Sequence, residues 1–112
     1  MGNLRRGDVF FADLPGSEGH VLGYKYRPWV VISNDMGNRN SDIAIVAPMT
    51  TRDLRPFPMH VRLVWGNIHG TVLTEQLRVI DQDDEFEVVE HLPPQIMRHV
   101  DDALIISLGL KD

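Results

Sequence analysis

The sequence predicts a mainly β fold with some α (α+β): a small, strongly bent sheet or barrel of antiparallel strands with a C-terminal helix. Three observations lead there. Short apolar runs recur at close spacing between turn residues. Helical periodicity is convincing only after Pro93–Pro94. A length of 112 residues supports one modest core, so residues 1–112 are expected to form a single domain, with no internal repeat, linker or low-complexity segment.

The first element is a short strand, Asp8 to Leu14, bounded by Gly7 and Pro15–Gly16. Loop residues follow through Gly23, and Trp29 to Ser33 then reads as a fully buried strand. Asn34 to Asp42, with Asn-Asp-Met-Gly-Asn, carries a turn and loop signal. Ile43 to Met49 is a second buried strand, with Thr50 and Thr51 just past its end. Val61, Leu63 and Trp65 alternate with His60, Arg62 and Val64 as in a half-buried strand. Gly66 to Gly70 reads as a hairpin connection into Thr71–Thr74, and Leu77 to Asp81 as another short strand. Pro93–Pro94 open the helix, where a missing N–H costs nothing, and Gly109 suits its C-cap. Met97, Val100, Leu104 and Leu108 form its apolar stripe, core first and interaction surface second, with Asp101–Asp102 on the other face. Trp29 is expected in the core and Trp65 at an edge or dimer surface.

Composition removes whole classes of function. No cysteine is present, which excludes disulfide frameworks, thiolate metal sites and thiol nucleophiles together. The longest apolar stretch, Ile43 to Met49, falls far short of the roughly 20 residues a bilayer span requires. Asp8 and Asp13 interrupt any signal-peptide core after Arg5 and Arg6, so a cytoplasmic location is expected. Net charge is −5, which counts against nucleic acid as a partner until its distribution is read. Residues 1–56 hold seven Lys/Arg against six Asp/Glu, and residues 57–112 four against ten, much of that acid in Asp81 to Glu90 and Asp101–Asp102. The first half can present a basic face, and nine of the eleven cations are arginine, the better bidentate partner for phosphate. The acidic runs read as solvated surface.

Familiar catalytic signatures are missing. There is no phosphate loop, no His-Glu-x-x-His and no Gly-x-Ser-x-Gly, and the five histidines lack close helical ligand pairing, so no metal or cofactor is expected. Polar chemistry remains where buried strands begin and end: Arg27 before Pro28, Thr50 and Thr51, and Glu18 in a glycine-flanked loop beside His20, itself a candidate proton carrier. An arginine, a hydroxyl and a carboxylate suit phosphodiester work, with an internal nucleophile such as the RNA 2′-OH. Taken singly, each has a plainer reading: Arg27 as a surface ion pair, the threonines as strand formers, Glu18 as a solvated loop acid.

Seven segments together resemble the MazF/PemK/Kid toxins of bacterial toxin–antitoxin pairs. They are Arg6 to Phe11, Gly16-Ser17-Glu18, Arg27 to Ile32, Asn34 to Asn38, Ile45 to Thr51, Glu75 to Asp81, and Asp102-Ala103-Leu104 with Leu108-Gly109-Leu110. They stand in the family's order and approximate spacing over nearly the whole chain. The resemblance implies an SH3-like (CcdB/MazF-type) barrel acting as a homodimer. It also implies a metal-independent, sequence-specific endoribonuclease that cuts single-stranded RNA, arrests growth and is silenced by a cognate antitoxin. Carried over by position, Arg27 matches the catalytic arginine and Thr50 the catalytic threonine, and Glu18 matches a loop acid suited to act as base. Thr51, Gln76 (on a strand near the groove), Tyr24, Tyr26, Lys25 and Arg52 are the expected RNA contacts, the tyrosines by stacking on bases.

The stretch Gly19 to Tyr26 is longer than the family's usual loop, and Asp81 to Glu87 is acidic where relatives carry Lys or Arg, so RNA contact is not expected there. Two rival classes remain open. One is a gyrase-poisoning toxin of the same architecture, although Ser107 to Leu110 lacks the aromatic such a contact would use. The other is a non-catalytic RNA-binding barrel.

Overall fold

The computed structural model describes residues 2–14 and 26–111. Seven strands and two helices follow in the order β1 (Asp8–Asp13), β2 (Tyr26–Val31), α1 (Asp35–Asn40), β3 (Ile43–Thr50), β4 (His60–Trp65), β5 (Ile68–Leu73), β6 (Arg78–Asp81), β7 (Val88–His91) and α2 (Pro94–Ser107). All strand pairs are antiparallel, in the order β4-β5-β3-β2-β1-β7, with β6 also paired to β3. The expected bent sheet with a terminal helix is therefore what forms.

The bend resides in β3. Its first half, Ile43 to Val46, pairs with β6, whereas Met49 and Thr50 pair with β5, so one strand serves two sheet segments. Pro48 lies between the two stretches, where a ladder N–H is dispensable. The Trp-Val-Val run of β2 is apolar throughout because both its faces are covered. Val30 packs with Val9, Ala47, Met49 and Val72, and with Met97 and Val100 of α2. Trp29 and Val31 pack on the opposite face with Phe10, Ala44, Val46 and Ile80. Trp29 is fully buried, and its indole N–H donates to the Ala12 carbonyl at 3.2 Å.

Several polar clamps hold these layers. Arg6 donates from Nε to the Ile32 carbonyl at 2.9 Å and from Nη2 to Asp101 of α2. Fully buried Thr74 donates to the Met59 carbonyl, and its own carbonyl accepts from Ser107. Gln82 accepts from the Leu4 N–H and donates from Nε2 to the carbonyls of Asn38, Ser41 and Ile43. With hydrogen bonds worth about 1 kcal/mol each, Gln82→Ala is expected to lower stability by about 2 kcal/mol, read from a urea denaturation midpoint.

Local expectations differ from the structure at several places, among them Thr50, which is the last residue of β3 rather than just past its end. Asn34 to Asp42 is not all loop: Asn34 caps a short helix by accepting from the Gly37 N–H at 2.7 Å, a side-chain bond that serves a turn or a helix start equally. β7 overlaps the end of the run read as acidic surface, and it escaped notice because Val88–Val89 shows no alternation and its pairing with β1 is long-range. β2 starts at Tyr26, so Arg27 sits within a strand opposite Ala12 rather than before one. β5 starts at Ile68, which pairs with Trp65, leaving Gly66-Asn67 as the hairpin turn. Leu108 is 55% exposed, since the helix has already ended there. The α2 terminus is a Schellman closure: Leu110 N–H donates to the Ile105 carbonyl and Gly109 N–H to that of Ile106, with Gly109 at φ 68°.

Candidate active site

The β2–β3 register pairs Trp29 with Pro48, Val30 with Ala47 and Val31 with Val46. Extending it by two residues sets Arg27 opposite Thr50, and residues opposite one another in antiparallel strands project from the same face. A pocket of about 240 Å³ opens there, lined by Arg27, Thr50, Thr51 and Arg52 together with Phe11, Tyr26, Pro28 and Met49. Five side chains singled out from sequence therefore meet: Arg27, Thr50, Thr51, Arg52 and Tyr26.

Arg27 is half-buried, and its Nε is shielded from solvent without a hydrogen-bond partner among the described residues. Leaving such a donor unpaired costs about 1–3 kcal/mol, more when it is charged, and an incoming anion recovers that cost. Burial pulls the guanidinium pKa below the usual arginine value, while Asp13 acts in the opposite sense. A cation partly stripped of water acts more strongly on a phosphate than one in bulk solvent.

Thr50 is 6% exposed, and its Oγ1 accepts from the Arg52 N–H at 3.2 Å. The hydroxyl proton is thereby left to donate elsewhere, and the same bond shapes the turn that brings Thr51 and Arg52 to the rim. Tyr26 is 74% exposed and stacked on Phe11, with centroids 5.4 Å apart and planes 26° apart. The stack holds the ring at the pocket edge as a platform for a base.

Glu18, His20, Tyr24 and Lys25 lie outside the described residues. Gln76 is not on a strand: it occupies the turn between β5 and β6, its N–H donates to the Leu73 carbonyl at 3.1 Å, and it is not among the pocket-lining residues. Thr74 carries the β4–β5 pairing one step past Leu73, its N–H donating to the Met59 carbonyl at 3.2 Å, and the chain then turns through Glu75 and Gln76 before β6. Phe11 and Met49 are pocket residues that sequence reasoning missed. Each reads as an ordinary apolar strand position, and only the β1–β2–β3 juxtaposition brings them to the rim. The acidic residues Asp83 to Glu87 take no part in lining the pocket. Among the described residues, no helix is long and apolar enough to cross a membrane.

Comparison with known proteins places these features in context. Residues 5–108 match the family described as PemK-like, MazF-like toxin of type II toxin–antitoxin system. The chain is 40% identical over 114 residues to endoribonuclease EndoA of Bacillus subtilis (strain 168), covering 97% of each. An endoribonuclease from a mycobacterial species, solved in complex with its cognate antitoxin, superposes with a TM-score of 0.82 at 25% identity, over 98% of this chain and 99% of that one. MazF from Deinococcus radiodurans shares the fold with a TM-score of 0.79 at 24% identity, over 95% and 96%.

Proposed function

This chain belongs to the PemK-like, MazF-like toxins of type II toxin–antitoxin systems, and on that footing we propose that its Arg27–Thr50 pocket cleaves single-stranded RNA, including mRNA, at a specific short sequence in the cytoplasm. The observation that carries the assignment of residues is the shielded Arg27 Nε, unpaired among the described residues, in one pocket with a Thr50 hydroxyl whose oxygen accepts from the Arg52 N–H.

In this reading the substrate's own 2′-OH attacks the adjacent phosphorus, and the bond from phosphorus to the 5′ oxygen of the next nucleotide breaks. The products are a 2′,3′-cyclic phosphate and a 5′-OH. Arg27 stabilises the extra negative charge on the non-bridging oxygens and supplies the proton taken up by the leaving 5′ oxygen. Thr50 donates to the phosphate and orients it for in-line attack. Glu18 takes the 2′-OH proton. Tyr26 stacks on a base, while Thr51 and Arg52 hold the strand beside the cut. Gln76, Tyr24 and Lys25 complete the RNA contacts. No metal enters these steps.

The test is incubation of the purified protein with a long single-stranded RNA in EDTA, followed by mapping of the cut ends. Discrete cuts with cyclic-phosphate 3′ ends support the reading, and a folded protein that leaves the RNA intact overturns it.

A cognate antitoxin silences the enzyme by covering this pocket with an acidic segment. Arg27→Glu is then expected to weaken antitoxin binding at least tenfold by calorimetry, and unchanged affinity would move the antitoxin elsewhere. The protein acts as a homodimer. Supporting this, Ile45 and Val79 are cross-strand partners that leave an exposed apolar face on β3–β6. A surface of this kind is the sort that pairs with another chain.

A further inference from the structure

The pocket does not end at Arg52. Thr51 and Arg52 also line a neighbouring hollow of about 190 Å³ whose far wall is the outward face of the β4–β5 hairpin, with Arg62, His69 and Thr71. Arg62 and Thr71 in turn line a third hollow, of about 320 Å³, which contains Arg55, Phe57 and His60. Shared walls join the three into one trough running from Arg27 to Phe57.

The trough has the chemistry of a nucleic-acid track. Arg52, Arg55 and Arg62 line it, with Asp53 as the acid among these residues. Arg62 Nη1 stands 3.8 Å from Asp53, but the two side chains are 81% and 95% exposed. A pair so open to water holds Arg62 only weakly, and exchanging it for a phosphate costs little. Arg62 reaches this face because β4 alternates, with Leu63 turned into the core. His69 follows from register, lying opposite Val64 while Arg62 lies opposite Thr71. At the far end an exposed Phe57 ring sits 5.2 Å from that of His60, again a surface on which a base can stack.

We propose that the outward face of the β4–β5 hairpin is an extension of the RNA site, in which Arg62 and His69 hold the backbone flanking the cut and Phe57 receives a base. This rests on the reading of the Arg27–Thr50 pocket as an RNA-cleaving site. The extension sets affinity and site length rather than the recognised sequence, because phosphate contacts position a strand without reading its bases.

The test uses an RNA carrying the sequence mapped from wild-type cuts, with a 2′-deoxy sugar at the cut position to block cleavage. It is prepared at minimal length and with eight-nucleotide flanks on the 5′ or the 3′ side. Binding is followed by fluorescence anisotropy over a range of salt, for wild type, Arg62→Glu and the double variant Arg62→Gln/His69→Ala, with thermal melts as the check on folding. The variants are expected to bind one flanked RNA about tenfold more weakly than wild type, and each lost phosphate contact to reduce the slope of log affinity against log salt by about 0.7. Affinity for the minimal RNA, and the cleavage rate of its all-ribose counterpart, stay at the wild-type value. If wild type cuts RNA and the folded variants bind every flanked RNA as well as wild type does, the extension is wrong and the catalytic reading stands. If wild type neither cuts nor binds any of these RNAs, both fall together.

Discussion

Arg27→Ala is expected to lower the cleavage rate of the mapped RNA by about 10²–10³-fold at saturating substrate, the usual cost of removing a preorganised group that stabilises developing charge. The residue is half-buried in β2, its Nε has no partner among the described residues, and burial has already stripped away part of its water. Its truncation removes charge stabilisation and the electrostatic attraction to Asp13, and leaves the β2 backbone pairing in place. The variant should therefore melt within a few degrees of wild type, and relief of the unpaired donor favours a small rise. Arg27→Lys separates charge from geometry. Lysine restores a cation but not the planar fork that meets two phosphate oxygens, so it should recover only part of the rate. Adding Thr50→Ala to Arg27→Ala should cost less than the product of the two single losses, since groups acting on one phosphate are not additive. A folded Arg27→Ala protein that cuts RNA at the wild-type rate would falsify the assignment.

Gly70→Ala is the second large expected effect, and it reaches the pocket from behind. Gly70 lies in β5 opposite Leu63 with φ 149°, and an added Cβ would stand 2.7 Å from the backbone oxygen of Thr50. The obstacle is backbone on a paired strand, since Thr50 is matched with Thr71, and it cannot swing aside as a side chain would. Overpacking together with an unfavourable φ is expected to cost about 2–4 kcal/mol in stability, seen as a lower urea midpoint. The displacement also moves Thr50 relative to Arg27, and a misplacement near 1 Å costs on the order of 10²-fold in rate. Activity should fall even at a temperature where circular dichroism shows the variant fully folded. A variant with wild-type rate and stability would mean that Thr50 tolerates the shift.

Much of this architecture is written locally. The apolar runs beginning at Asp8, Trp29 and Ile43 each form a strand, because a short run of large side chains cut off by turn residues has few other ways to bury itself. The helix from Pro94 to Ser107 was equally legible, with a proline that suits its first turn and Gly109 that suits its end. The resemblance to a toxin family, carried by seven ordered segments, likewise lies in the sequence, and with it the choice of Arg27 and Thr50 from many arginines and threonines.

What the tertiary structure alone decided depends on pairing between distant residues. β7 becomes a strand only against β1, and the Val88–Val89 pair has no local pattern to announce it. Gln76 falls in a turn despite strand-like neighbours, and Phe11 and Met49 enter the pocket wall only where β1, β2 and β3 meet. The facing of Arg27 and Thr50 is of the same kind: a slip of one residue between β2 and β3 would turn one of them to the opposite side of the sheet. Periodicity records which residues seek burial, whereas register, set by the packing of both sheet faces at once, determines which polar groups meet and which are left without a partner.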